Sequence, residues 1–169
     1  MPMPNVPADS VAGRPLLDRL RETIARHGPL PVDRYMRACL EDPSHGYWQR
    51  AATIGGGGDF ITSPEISQVF GELVGLWSAI AWDGIGRPSP LRVVELGPGR
   101  GTLMRDALRA AKAMPQFLDA ASVHLIEVSA PLRVIQEQTL ASRRGGVIWH
   151  RALAEVPPGA AIVIANEFL

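Results

Sequence analysis

Three glycines and an acidic residue lie in the segment of this chain best suited to holding a small molecule, LRVVELGPGRGTLMRDAL, from Leu91 to Leu108. The apolar run before the glycines predicts a buried parallel strand, and the apolar residues after them recur at helical spacing. Glycine permits positive φ and places no Cβ between the backbone and a ligand. We therefore predict a strand, a tight turn and a helix, with a ligand lying against Gly97, Gly99 and Gly101.

The spacing of these glycines distinguishes two classes of ligand. A dinucleotide-binding turn reads G-x-G-x-x-G, but this chain has Thr102 where the third glycine belongs. Glu95, two residues before the first glycine, would repel a pyrophosphate and suit an ammonium group. S-adenosylmethionine carries an ammonium and a sulfonium and no phosphate, so we predict that Glu95, the glycines and Thr102 bind it. The simpler alternative is a turn that only connects the strand to the helix.

A second acidic residue follows the next apolar run, SVHLIEV, which spans residues 122–128. In nucleoside-binding sheets, an acid after the second strand accepts hydrogen bonds from the ribose hydroxyls, and Glu127 fits that place. Its alternative is an ordinary solvated carboxylate. Val128 beside it, and His150 at the end of the run GGVIWH, are also assigned to the cofactor site, although His150 could equally be a plain polar residue at a strand end.

Composition excludes several classes of function. The 169 residues carry 17 basic and 17 acidic side chains, so charge suggests neither a nucleic-acid nor an anionic-membrane partner. No apolar stretch is long enough to predict a membrane span. The single cysteine, Cys39, excludes an internal disulfide and fits a reducing cytosol. The first residues lack the apolar core of a secretory signal, and we expect a bacterial cytoplasmic protein without a bound metal.

Strands and helices alternate along the second half of the chain, which predicts an α/β fold with a mostly parallel sheet. Before it, two helices are predicted, one ending at Gly28 and one over residues 32–40. A further helix begins with Ser63 as its N-cap. Apolar residues repeat along it at helical spacing, and we expect that face to pack on the core: Val69, Leu73, Leu76, Trp77 and Ile80.

Glycines 55–58 precede this helix, and such a flexible run before a capped helix is typical of a lid. The lid or substrate-contacting residues that we predict are Asp59, Phe60, Thr62, Ser63 and Glu65. The alternative is that Ser63 and Glu65 only cap the helix, which leaves Asp59 and Phe60 unexplained.

Several of these segments together resemble one family. GDFITSPEISQVFGE, DPSHGYW, VVELGPGRGTLMRD, LIEVS, VIWH and ANEFL are similar to the MidA family of S-adenosylmethionine-dependent methyltransferases, which includes mitochondrial complex I assembly factor 7. The resemblance covers roughly residues 30–169. It implies a class I, Rossmann-like methyltransferase fold and, for the mitochondrial member, dimethylation of an arginine on a complex I subunit. Where relatives commonly have an acid after the third-strand histidine, this chain has Arg151, which puts an adenine contact there in doubt.

Class I methyltransferases commonly have seven strands in the order 3-2-1-4-5-7-6, and this sequence stops after the fourth. We therefore expect a sheet truncated after the fourth strand, with an N-terminal helical extension. The predicted divisions are a disordered leader over 1–13, a helical and lid region over 14–90, and the first half of the cofactor-binding domain over 91–169.

An arginine acceptor needs a carboxylate that can take its planar N–H fork. Glu167 follows the fourth strand, at the edge where open α/β sheets bind ligands, and by analogy with arginine methyltransferases it is the predicted catalytic residue, with Asn166 beside it. It could instead merely begin a loop.

Three functions compete. An S-adenosylmethionine-dependent methyltransferase acting on a protein is favoured; by the resemblance its substrate is a respiratory complex I subunit, and a homo-oligomer is possible. A non-catalytic assembly module is the first alternative. An NAD-binding oxidoreductase is the second, and Thr102 disfavours it.

Overall fold

The computed structural model of this protein describes residues 15–49, 61–143 and 146–168. The chain divides into two compact units, residues 1–50 and 51–169. The predicted division into a leader, a helical and lid region and a cofactor-binding half stays a prediction. Among the described helices, none is long and apolar enough to cross a lipid bilayer.

Two α-helices lie in the described part of the first unit. Helix α1 spans Leu16–His27 and ends at Gly28. The φ of this residue is +83°, a positive value that favours glycine. Helix α2 spans Val32–Glu41, and a 3-10 turn follows over Tyr47–Gln49. The Asp42 carboxylate organises the connection, because it accepts hydrogen bonds from the backbone N–H groups of Ser44 and His45. Both predicted helices are confirmed.

A four-stranded parallel sheet lies at the centre of the second unit. The strands are β1 (Leu91–Leu96), β2 (Ala121–Ile126), β3 (Val147–His150) and β4 (Ala161–Ile164). Their order across the sheet is β3-β2-β1-β4, and every pair is parallel. Because the chain reaches each parallel neighbour by a crossover, all four strands end at one edge of the sheet. The predicted α/β fold class and the order 3-2-1-4 are confirmed.

Among the described residues of the second unit, five α-helices accompany this sheet: α3 (Ser63–Ile66), α4 (Gln68–Gly84), α5 (Thr102–Ala110), α6 (Pro115–Ala120) and α7 (Ala130–Thr139). Shorter 3-10 turns cover Ala111–Ala113 and Leu153–Glu155. The core lies between α4, α5, α6 and one face of the sheet, where Trp82 and Phe117 meet edge to face with their ring centroids 5.8 Å apart.

The register places alternate residues on opposite faces of the sheet. Val93 and Glu95, with their respective partners Val123 and Leu125, lie on the face that α4 and α5 cover. Val94 and its partner His124 lie on the other face. Each side chain in a strand therefore has a fixed side.

The predicted single helix from Ser63 is wrong in two respects. Thr62 is the N-cap of α3, and Ser63 lies inside the helix with its hydroxyl donating to Glu167. The backbone then becomes extended at Ser67, whose side chain accepts a hydrogen bond from the backbone N–H of Val69 and caps α4. Two helices exist because Ser67 supplies a second cap.

The apolar face predicted for this segment points away from the core. Val69, Leu73, Leu76, Trp77 and Ile80 are all exposed, and the buried side of α4 consists instead of Gly71, Gly75, Ser78, Ala79 and Trp82. Small residues face inward because α5 approaches closely. A Cβ on Gly75 would lie 2.2 Å from the carbonyl oxygen of Ala107.

Candidate functional site

The glycine turn lies at the carboxyl edge of the sheet, between β1 and α5. Its three glycines have φ values of 60°, 53° and 81° at Gly97, Gly99 and Gly101. Residues with a Cβ rarely adopt this region, so the glycines are required by the backbone itself. Gly101 is the N-cap of α5, and its carbonyl accepts from the backbone N–H of Arg105.

Glu95, at the penultimate position of β1, is a buried acid, and one of its carboxyl oxygens has no hydrogen-bond partner among the described residues. The residue is 3% exposed, and no described group bonds its Oε2. Burial raises the pKa of this carboxyl to about 8. A cationic group placed beside it would supply both a hydrogen-bond partner and a compensating charge.

Glu127 is also buried, and each of its two carboxylate oxygens accepts a hydrogen bond. Its Oε1 accepts from the backbone N–H of Ser129 at 2.8 Å, and its Oε2 accepts from Nε2 of Gln136 at 3.0 Å. Burial raises the pKa of this carboxyl, and these hydrogen bonds oppose that shift. Val128, between Glu127 and Ser129, is half-buried. The carboxylate is thereby fixed at the end of β2, one strand from the glycine turn.

Gln136 was missed by the sequence reasoning, although it joins the two halves of this site. Its fully buried amide donates to the Gly99 carbonyl at 2.8 Å as well as to Glu127, and it accepts from the indole Nε1 of Trp149 at 2.9 Å. The signal was present in the sequence, because a polar residue stands midway between Leu132 and Leu140 on the buried stripe of α7.

Helix α3 connects the glycine turn to the loop after β4. The Thr102 hydroxyl, at the first position of α5, donates to Oε1 of Glu65. At the other end, the backbone N–H and the hydroxyl of Ser63 donate to Oε1 of Glu167 at 2.9 and 3.0 Å. The predicted lid residues Ser63 and Glu65 therefore contact the predicted cofactor and catalytic residues.

Glu167 is held by several contacts. Its φ of 51° is uncommon for a residue with a side chain. Asn166 adds a third hydrogen bond to Oε1, at 3.3 Å. The donors on Ser63 hold the pKa of the Glu167 carboxyl below its ordinary value, so the group is a carboxylate at neutral pH. The ring of the next residue, Phe168, packs against Gly97. Its Cδ2 lies 2.5 Å from the position that a Cβ on Gly97 would take.

The carbonyl of His150 accepts a hydrogen bond from the backbone N–H of Glu127 at 2.9 Å, but the His150 side chain points to the other face of the sheet. It is in register with Leu96 and Ile126, on the sheet face opposite Glu95. Its Nε2 is 2.9 Å from Nδ1 of His124, and the two rings stack with centroids 5.1 Å apart. Of the remaining predicted site residues, Thr62 is the α3 N-cap, while Asp59 and Phe60 lie outside the described residues.

A family model with the description "Putative S-adenosyl-L-methionine-dependent methyltransferase" matches residues 73–169, which is more than half of the chain. The chain belongs to this family. The resemblance identified from the sequence segments is thereby confirmed.

Two curated relatives illustrate the similarity. The chain is 44% identical to the Drosophila melanogaster protein arginine methyltransferase NDUFAF7 homolog, mitochondrial, covering 90% of this chain and 39% of that protein. It is 39% identical to the human protein arginine methyltransferase NDUFAF7, mitochondrial, covering 97% and 42%. The chain thus spans about two-fifths of the length of these relatives. The predicted bacterial cytoplasmic location is wrong, because these relatives are mitochondrial proteins.

Among solved structures, a COG1565 superfamily member from Burkholderia thailandensis bound to S-adenosyl-homocysteine is similar with a TM-score of 0.72 and 32% identity. The similarity covers 94% of this chain and 43% of that one. A second COG1565 structure from the same organism, in native form, matches with a TM-score of 0.65. The predicted methyltransferase fold is confirmed by these similarities.

Proposed function

We propose that this chain provides the S-adenosylmethionine-binding part of a protein arginine methyltransferase. The observation that carries the proposal is Glu95, a buried carboxyl group whose Oε2 has no partner among the described residues, at the strand end that leads into three positive-φ glycines. Burying such a group is unfavourable unless it gains a hydrogen-bond partner or a compensating charge, and a bound ligand can supply both. The ammonium group of the cofactor has the required charge and hydrogen-bond donors.

The residues present fit this cofactor. Glu95 would hold the ammonium group, the backbone of the glycine turn would lie against the amino-acid part, and Glu127 would accept from the ribose hydroxyls with the lone pairs that Ser129 and Gln136 leave available. When bound, the cofactor supplies a methyl group carried on a sulfonium. The contribution of the chain is to orient the donor and to exclude water around it.

Glu167 is the proposed contact for the acceptor guanidinium. The described hydrogen bonds to its carboxylate all reach Oε1, so Oε2 is the oxygen on which an arginine can donate. Ser63 keeps the group ionised and oriented. The names of the relatives support a protein arginine as the acceptor, and the family resemblance supports a subunit of respiratory complex I.

Calorimetric titration with S-adenosylhomocysteine tests the cofactor assignment. An ammonium beside the neutral Glu95 carboxyl favours its ionisation, so binding at pH 7 should release a proton, measured as a dependence of the enthalpy on the ionisation enthalpy of the buffer. Glu95→Gln should abolish that proton release, and NADH should not bind. NADH binding without binding of the adenosyl ligand would overturn the proposal in favour of an oxidoreductase.

Binding of an arginine-containing peptide to the S-adenosylhomocysteine-loaded chain tests the acceptor site. Glu167→Gln should weaken binding of the peptide and leave the dissociation constant of the cofactor product unchanged. The peptide with lysine in place of arginine is the matched control. Equal affinity of wild type and Glu167→Gln for the arginine peptide would reject the role of Glu167.

A further inference from the structure

The outer face of α4 is an extended apolar surface. Six large side chains between the end of α3 and the last turn of α4 are 39–74% exposed: Ile66, Val69, Leu73, Leu76, Trp77 and Ile80. They are contiguous along one side of the helix, unlike the single scattered apolar residues that are normal on the surface of a monomer. A contiguous apolar patch of this kind marks an interaction surface.

The spacing of these residues is that of a helix-packing seam. Val69, Leu73, Leu76 and Ile80 follow one another at intervals of four, three and four residues, which is the a and d pattern of two helices packed side by side. The opposite side of α4 is already buried on α5 through Gly71 and Gly75. A helix that is apolar on both sides belongs between two layers of protein.

We propose that this seam is a dimer interface, in which the outer faces of α4 from two copies of the chain pack against each other about a two-fold axis. A stable interface of standard size buries roughly 800 Å² on each partner around an apolar centre, and the six exposed side chains of the seam supply such a centre. An isologous contact requires a surface that can face itself. A continuous apolar seam meets that requirement.

Charge is compatible with this pairing. From Gln68 to Trp82 the helix carries one ionisable residue, Glu72, whose carboxylate is held by the guanidinium of Arg109 on the same chain, with Nη2 and Oε1 3.0 Å apart. Two copies can therefore approach along the seam without placing like charges opposite each other.

Sedimentation equilibrium of the 169-residue chain tests the interface. We expect a dimer at micromolar concentration, and Leu73→Glu should raise its dissociation constant about 100-fold or more, because the charge would be buried without a partner. Val134→Glu, on α7, is the matched control, since Val134 has a similar exposure of 53%. A monomeric wild-type chain, as expected if another part of the same polypeptide covers α4, would overturn the proposal. So would a dimer that responds equally to both substitutions.

Disulfide trapping decides the question without a charged substitution. In a Cys39→Ser background, Leu73→Cys should form an intermolecular disulfide under mild oxidation, and Val134→Cys should not. Trapping of neither variant, or of both to the same extent, contradicts the proposed seam, whatever the folding behaviour of Leu73→Glu.

Discussion

Two buried carboxyl groups near the glycine turn, those of Glu95 and Glu127, differ in the hydrogen-bond donors around them. Glu127 has donors on both oxygens, whereas Oε2 of Glu95 has none among the described residues. This difference supports the proposed function, in which Glu127 accepts from the ribose hydroxyls and Glu95 pairs with the ammonium group.

The Glu95 carboxyl should make stability depend on pH. Its folded-state pKa of about 8 lies above the ordinary value of a glutamate, so its contribution is fully present at low pH and is lost as pH rises towards 8. The loss is at most about 1.4 kcal/mol per pH unit. Urea unfolding from pH 5 to pH 9 should show a steeper decline for wild type than for Glu95→Gln. Parallel pH profiles would contradict the raised pKa.

Removing the Glu127 carboxylate should weaken the cofactor site. We expect Glu127→Ala to reduce the affinity for S-adenosylhomocysteine about 10- to 150-fold, because charge-assisted hydrogen bonds worth about 1.5 to 3 kcal/mol are lost. Glu137→Ala, on the exposed side of α7, is the control and should bind normally. An unchanged dissociation constant for Glu127→Ala in calorimetry would reject the ribose assignment.

The conformation of the glycines in the turn was predictable from the sequence. Contacts between residues far apart in the chain were not. The glycine pattern predicted three positive φ values because only glycine adopts them freely. The Ser63–Glu167 contact joins residues 104 positions apart, and the sequence gives no local signal for it. Gln136 stands at helical spacing between Leu132 and Leu140, but an amide on a helix is normally interpreted as solvent-facing, so this signal was not used.

At the scale of elements, α4 shows that the spacing of apolar residues can predict a helix without showing which of its sides is buried. The repeat of apolar residues predicted a helix, but it did not determine which side faces the core. Large side chains normally identify the buried side. Here the close approach of α5 selects the side with glycine, serine and alanine, so the apolar stripe faces outward.

Substituting the glycines of α4 should separate packing from helix propensity. Gly75→Ala should destabilise the fold by about 1 to 3 kcal/mol or more, because its Cβ would meet the α5 backbone, which has little room to move. Gly84→Ala, with nothing within 4 Å of the added Cβ, should instead stabilise by about 0.5 to 1 kcal/mol. Urea unfolding measures both, and equal effects would show that the α4–α5 contact is loose.

The four strands were predictable because each is a short apolar run bounded by glycine, proline or polar residues. Their parallel order followed from the intervening helices. The break between α3 and α4 was not predicted, because Ser63 and Ser67 are equally good caps by residue type. Only the extended backbone at Ser67, φ −148°, distinguishes them.

At the scale of the whole molecule, the sheet has an open side. In the described part of the chain, β4 pairs only with β1, and its Val163 is half exposed. An unpaired edge with exposed apolar residues favours pairing with other chains.

Val163→Lys should therefore reduce aggregation. We expect less light scattering on gentle heating than in wild type, while the mass of any α4-mediated dimer stays unchanged. Val134→Lys, with comparable exposure on α7, should leave the scattering as it is. Equal suppression by both lysines would attribute the effect to net charge alone.

The stacked histidines form a hydrogen-bond chain with a direction. The only hydroxyl proton of Ser122 is donated to the Leu91 carbonyl, so its oxygen must accept from Nε2–H of His124, 3.0 Å away. His124 Nδ1 then carries no proton and accepts from Nε2–H of His150. A serine on β2 thereby sets the direction of a hydrogen bond to a ring on β3, and nitrogen-15 NMR should find Nε2 of His124 protonated and its Nδ1 unprotonated. The other ring nitrogen of His150, Nδ1, lies 3.9 Å from Oε2 of Glu155, so the hydrogen-bond chain that begins at Ser122 ends beside a carboxylate.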